Sequence, residues 1–147
     1  MKRPLSLYID TSVIGGYFDV EFEKETKRLF KSVLNGQYKV IYSTVTEDEL
    51  LGAPQKVRKF LENIPKEIKT RVDLTQEAVS LGDAYIAEKV IGKTSREDCF
   101  HIALATIHKA DILVSWNFRA CLSFCKHLKI RNLKSAGTKI QRWLGWV

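Results

Sequence analysis

Three acids in this sequence stand where one structural element gives way to the next. Asp10 directly follows the apolar run Leu7-Tyr8-Ile9. Glu49 lies three residues after Thr46 in Ser43-Thr44-Val45-Thr46-Glu47-Asp48-Glu49-Leu50, and Asp98 lies three residues after Ser95 in Ser95-Arg96-Glu97-Asp98-Cys99-Phe100-His101. Carboxylates are the hard oxygen donors that Mg²⁺ or Mn²⁺ takes, with water and a phosphate filling the remaining positions. Acids drawn from separate elements and converging at one sheet edge would assemble such a site. Each also has a local reading. Thr46 with Glu49 has the form of a capping box, and Ser95 with Asp98 nearly the same form, in which the acid serves only the helix start. Asp10 has the turn after its strand to stabilise. It differs from the other two because an acid right behind a buried strand is costly unless it has a partner.

The elements that must position these acids alternate along the chain. Residues 5–9 read as a short buried strand, followed by a loop over 11–19 that carries Gly15-Gly16. Phe22, Leu29, Phe30, Val33 and Leu34 recur at helical spacing over 21–34, and Asn35-Gly36 ends that helix. Val40-Ile41-Tyr42 is a second strand. A helix starts at Thr46, breaks near Gly52-Ala53-Pro54 and restarts through Val57, Phe60, Leu61 and Ile64. Val72 and Leu74 form a brief edge strand or a connector. Thr75 caps a helix running to Gly92, and Ser95 opens another with Cys99, Ile102, Ala103, Thr106 and Ile107 on one side. The continuous apolar run Ile112-Leu113-Val114-Ser115-Trp116 is the pattern of a central parallel strand. A helix over 119–127 and a strand over 130–133 follow, with the tail from 140 unassigned. Alternation of this kind predicts an α/β chain, a three-layer α/β/α sandwich with a central parallel sheet. Such sheets bind ligands outside the carboxyl ends of their strands. Asp10 and Asn117 both fall there.

The length of 147 residues predicts a single domain spanning 1–147. Twenty-four Lys and Arg against 17 Asp and Glu give a net charge of +7, which favours a polyanionic partner such as nucleic acid. No apolar run approaches the ~20 residues that cross a bilayer, so no membrane partner is expected, and Asp10 cuts the apolar start too short for a signal peptide. Three cysteines, Cys99, Cys121 and Cys125, make no paired framework and point to a reducing cytoplasm.

Four segments together resemble the motifs of PIN domains, in order and at fitting separations over residues 5 to about 120. Tyr8-Ile9-Asp10-Thr11-Ser12-Val13-Ile14 is similar to the first, and Ser43 through Leu50 to the second. Asp98-Cys99-Phe100-His101-Ile102-Ala103-Leu104-Ala105 is similar to the third. Ala110-Asp111-Ile112-Leu113-Val114-Ser115-Trp116-Asn117 resembles the strand leading to the fourth. By size the chain is most similar to the VapC-like toxins of toxin–antitoxin pairs. That resemblance implies a metal-dependent endoribonuclease with Asp10, Glu49 and Asp98 as ligands of Mg²⁺ or Mn²⁺. Ser12 would support them, and Asn117 would stand as a fourth ligand where many members carry an Asp. It further implies a small antitoxin as partner and a homodimer. Asn117 lowers the pocket's negative charge by one, which keeps open a non-catalytic PIN module that binds RNA or a protein.

An acidic pocket repels phosphate until a cation fills it, so cations are expected around its rim. Arg96, two residues before Asp98, and Arg119, two after Asn117, are with Ser12 the candidates for contacting single-stranded or structured RNA. Lys126, Lys129, Arg131, Lys134, Lys139 and Arg142 add a basic last third. His101, on the same helix face as Asp98, fits either a phosphate contact or a structural hydrogen bond and is not counted as catalytic. Cys121 and Cys125 near His127 lack the second pair a zinc site needs. Trp143 and Trp146 fit base stacking, an edge cover or a dimer contact. Ser12 stands where haloacid-dehalogenase phosphatases need a second Asp, and neither a phosphate-binding loop nor a dinucleotide motif is present.

Overall fold

A computed structural model describes residues 3–88 and 95–116, and the strand backbone at 131–135 and 138–142. In chain order the elements are β1 (Leu5–Ile9), α1 (Thr11–Gly16), α2 (Glu23–Leu34), β2 (Tyr38–Ser43), α3 (Thr44–Leu50) and α4 (Gln55–Arg58). After two 3₁₀ turns come β3 (Lys69–Val72), α5 (Gln76–Ala87), α6 (Arg96–Ile107), β4 (Ile112–Val114), β5 (Arg131–Ser135) and β6 (Thr138–Arg142). The described strands form one sheet in the order β3-β2-β1-β4-β6-β5. Its first four strands are mutually parallel, as the apolar runs predict. β6 adds to β4 antiparallel and pairs with β5 as a hairpin, which corrects the expectation of strand–helix alternation to the end of the chain. Strands that close together in sequence have no room for a parallel crossover.

The central strands β1, β2 and β4 are largely apolar because both faces are covered. Leu7 and Ile9 of β1, Val40 and Tyr42 of β2, and Ile112 and Val114 of β4 point to one face, where they meet Val13, Leu29, Phe30, Val33, Val57 and Phe60. The intervening residues Tyr8, Ile41 and Leu113 point to the other, against Ala78, Phe100, Ile102 and Ala103. This period-2 division between two cores makes the three layers. α2 contributes Thr26, Leu29, Phe30 and Val33 at helical spacing. It ends as expected at Asn35-Gly36: Gly36 takes φ of +81°, its N–H donates to the Val33 carbonyl, and Gln37 donates to Ser32. Thr75 and Ser95 cap α5 and α6 through their hydroxyls. No helix of the described residues is long and apolar enough to cross a membrane.

Two local expectations change. The segment from Thr11 is helix rather than loop, because Asp10 accepts the Val13 N–H and so starts a short helix that the Gly15-Gly16 pair does not prevent. The helix expected from Thr46 starts at Thr44 with Ser43 at its cap, so Thr46 and Glu49 form no capping box. Glu49 sits in the last turn of that helix with its side chain otherwise engaged. The helix expected over 119–127, the residues Cys121, Cys125 and His127, and both tail tryptophans lie outside the described residues.

Gly16 is required by close approach. A Cβ there would stand 2.5 Å from Trp116 Nε1 and 2.9 Å from Thr26 Oγ1, whereas one at Gly15 would meet nothing within 4 Å. Trp116 has no room to retreat, being buried and stacked on Phe22 at 5.1 Å. Gly16→Ala is therefore expected to destabilise the fold by about 1–3 kcal/mol. Gly15→Ala, inside the same helix, should be neutral or stabilising by up to ~1 kcal/mol. Urea unfolding of the two variants checks the contrast, and equal effects would contradict this packing.

Candidate active site

β1 and β4 are central neighbours, and the chain leaves both at the same sheet edge. The Asp10 N–H donates to the Val114 carbonyl at 3.4 Å, extending the strand pairing by one residue. The Asp10 side chain is buried there and surrounded by donors. Ser12 Oγ donates to Oδ1 at 2.5 Å, the Val13 N–H donates to the same oxygen at 3.3 Å, and Ser115 Oγ donates to Oδ2. Ser12 in turn accepts the Trp116 N–H at 2.9 Å. Burial nevertheless raises the Asp10 carboxyl above its ordinary range. His101, Ser115 and Ser12 oppose that rise, and the nearby charge of Asp98 adds to it.

Glu49 reaches the same place from α3 and Asp98 from the first turn of α6. Asp10, Thr11, Ser12, Glu49, Asp98 and His101 line one cavity of about 270 Å³. Thr11 Oγ1 donates to Glu49 Oε1 at 3.0 Å, and His101 Nε2 lies 2.6 Å from that oxygen. Burial pulls the Glu49 carboxyl upward, but the hydrogen bond and proximity of His101, with the bond from Thr11, hold it below the ordinary range. On its far side His101 Nδ1 lies 2.8 Å from the Tyr8 hydroxyl, which is also hydrogen-bonded to Ser43 Oγ at 2.9 Å. Tyr8 is fully buried, and burial raises its hydroxyl well above the ordinary range.

The three acids expected to converge therefore line one cavity. Ser12 lies beside them with its hydroxyl turned to Asp10. Arg96 is not among the lining residues: its guanidinium makes two bonds to Asp83 of α5, at 2.8 and 2.9 Å, and lies over the Phe100 ring. Asn117 and Arg119 lie outside the described residues. Thr11, Ser115 and His101 join the site without having been counted as candidates. The signals were faint, since Thr11 is one more hydroxyl beside Asp10 and Ser115 looks like an interruption of an apolar strand. A larger hollow of about 470 Å³, lined by Tyr17, Phe18, Phe30, Phe60, Lys56 and Lys59 among others, is mainly apolar, with Glu62 the one acid among its lining residues.

The donor chemistry of the cavity fits a hard divalent cation: three carboxylates from three elements, one of them buried so that a positive charge beside it would offset the cost of its ionisation. Among the described residues no three ligand-type side chains already stand in a cluster that encloses an ion. Asp10, Glu49 and Asp98 are the residues that would hold it.

No family model and no curated relative matches the sequence itself. The fold, in contrast, is similar to solved structures. VapC20 of Mycobacterium tuberculosis, described as a sarcin–ricin loop cleaving toxin, superposes with a TM-score of 0.59 at 14% identity, over 78% of this chain and 94% of that one. A toxin–antitoxin complex from Klebsiella pneumoniae gives 0.57 at 17% identity, over 78% and 88%. VapBC2 of Rickettsia felis, bound to a DNA fragment from its promoter, gives 0.54 at 13%, over 78% and 89%. The chain has the fold of the VapC-like PIN domains.

Burial gives Asp10 a measurable signature. Its ionisation works against folding, so the cost is absent at low pH, grows as pH rises above the ordinary carboxyl range, and is complete above its own raised range. Asp10→Asn keeps an oxygen for the Val13 cap and removes the charge. In EDTA it is expected to unfold about 0.5–2 kcal/mol harder than the native chain at neutral pH, with the gap closing in acid. Calorimetry across pH checks this; a variant weaker than the native chain at neutral pH would contradict it.

Proposed function

We propose that this chain is a metal-dependent endoribonuclease that hydrolyses RNA phosphodiester bonds, and the toxin of a toxin–antitoxin pair. One observation carries the reading: Asp10, Glu49 and Asp98, from three separate elements, line one cavity at the carboxyl ends of parallel strands in a VapC-like fold. Asn117, the next residue after Trp116, is assigned as a fourth ligand, and Arg96 and Arg119 as rim cations for RNA. The reading also includes a reducing cytoplasm, a homodimer and a small antitoxin that covers the acids.

A Mg²⁺ or Mn²⁺ ion bound by these residues would polarise the scissile phosphate and make a water acidic enough to attack it. The protein's own part is positional. Ser12, Ser115 and the Val13 N–H fix both oxygens of Asp10, and Thr11 with His101 fixes Oε1 of Glu49. The new bond joins a water oxygen to phosphorus and the P–O3′ bond breaks. The leaving oxygen takes up a proton, so the products are a 5′-phosphate and a 3′-hydroxyl. Because water attacks, the 2′-hydroxyl takes no part in the chemistry, and preference for RNA must come from binding single-stranded or looped geometry. The description of VapC20 as a sarcin–ricin loop cleaving toxin makes a structured loop a sensible second substrate.

A labelled single-stranded RNA and a labelled hairpin, incubated with Mn²⁺, Mg²⁺ or EDTA, test the reading. The native chain should cut only with metal, and Asp10→Asn should lose at least about 100-fold in rate. RNA bound but left intact by both proteins in every metal would replace the enzyme with the binding module that Asn117 keeps open. Binding itself should weaken steeply with salt, log affinity falling linearly with log salt concentration. Affinity independent of salt would remove the basic residues from the interface.

A further inference from the structure

We infer that His101 is a positioning residue of this site, holding Glu49 so that Oε1 is saturated within the protein and Oε2 is the oxygen offered to the cavity. What the site does with that oxygen rests on the nuclease reading above; how the oxygen is held rests on geometry alone. His101 is buried, at 3% exposure, and each ring nitrogen has a partner: Glu49 Oε1 at 2.6 Å and the Tyr8 hydroxyl at 2.8 Å. Tyr8 is anchored to Ser43 at the end of β2, so the ring is fixed by β1 and β2 and cannot turn without breaking two bonds. Oε1 already accepts the Thr11 hydroxyl, so across the 2.6 Å contact the Nε2–H is the donor. Thr11 donates to the same oxygen, while Oε2 has no partner among the described residues. A carboxylate with one oxygen tied inward presents the other in one direction, which is what an ion-holding side chain needs from its surroundings.

The two amide side chains separate positioning from a merely structural role. In His101→Gln the amide nitrogen takes the place of Nε2 and still donates to Glu49, but the bond to Tyr8 is lost. In His101→Asn the amide takes the place of Nδ1, keeps Tyr8 and loses Glu49. Mn²⁺ affinity of the full chain, measured by calorimetry without RNA, should fall about 10–100-fold in His101→Asn and His101→Ala and stay within a few-fold of native in His101→Gln. The kcat for RNA should follow the same order with KM little changed. Unchanged Mn²⁺ affinity in all three variants overturns the inference. So does a loss in all three that simply tracks their unfolding temperatures. If the native chain neither binds Mn²⁺ nor cuts RNA, the nuclease reading fails by itself. The inference is then decided by the ¹³C carboxyl resonance of Glu49, which should be native-like in His101→Gln and displaced in His101→Asn; an unmoved resonance in both overturns it.

Discussion

The seam between β1 and β4 is closed at its carboxyl end around a buried carboxylate, and the rest of the molecule is arranged to tolerate that charge. An acid taken out of water without partners is costly. Asp10 meets the cost with two serine hydroxyls and a helix N–H, and Ser12 extends the clasp to the Trp116 backbone. The opposite end of the same strand pair is closed by Asp111, which accepts the Ser6 N–H at 2.8 Å and the Ser6 hydroxyl at 3.0 Å and pairs with Arg3. There burial pulls the carboxyl upward, but the bonds from Ser6 and Arg3 outweigh it and hold Asp111 below its ordinary range. Two acids clasp the same strands. The half-buried, cation-paired one is held below its ordinary range, and the fully buried one is raised above it.

Much of this was legible in the sequence because it is written in local patterns. Apolar runs marked β1, β2 and β4, Thr75 and Ser95 marked helix starts, and strand-end logic marked Asp10. What failed was also local but had a tertiary cause. Gly15-Gly16 reads as loop by propensity, yet Gly16 is there because Trp116 occupies the space of its missing Cβ. Thr46 and Glu49 have the spacing of a capping box, but Ser43 takes the cap and Glu49 is drawn off by His101 and Thr11. The partner of His101 lies 52 residues away in sequence. No periodicity or motif connects such a pair, so only the folded chain shows which histidine nitrogen faces which acid.

Asp10 and Glu49 line one cavity with opposite tendencies, and the difference follows from what surrounds each. Nearby His101 and the hydroxyls of Ser115 and Ser12 do not offset the full burial of Asp10, and its neighbouring acid Asp98 adds repulsion. Glu49 is only half-buried and receives the imidazole directly, so its ionised form is favoured. Paired carboxyls with separated tendencies are a common way for one pocket to hold groups in different protonation states at the same pH. A divalent ion would reverse the balance at Asp10, because its positive charge replaces the missing solvation. Charge and ligand would then arrive together.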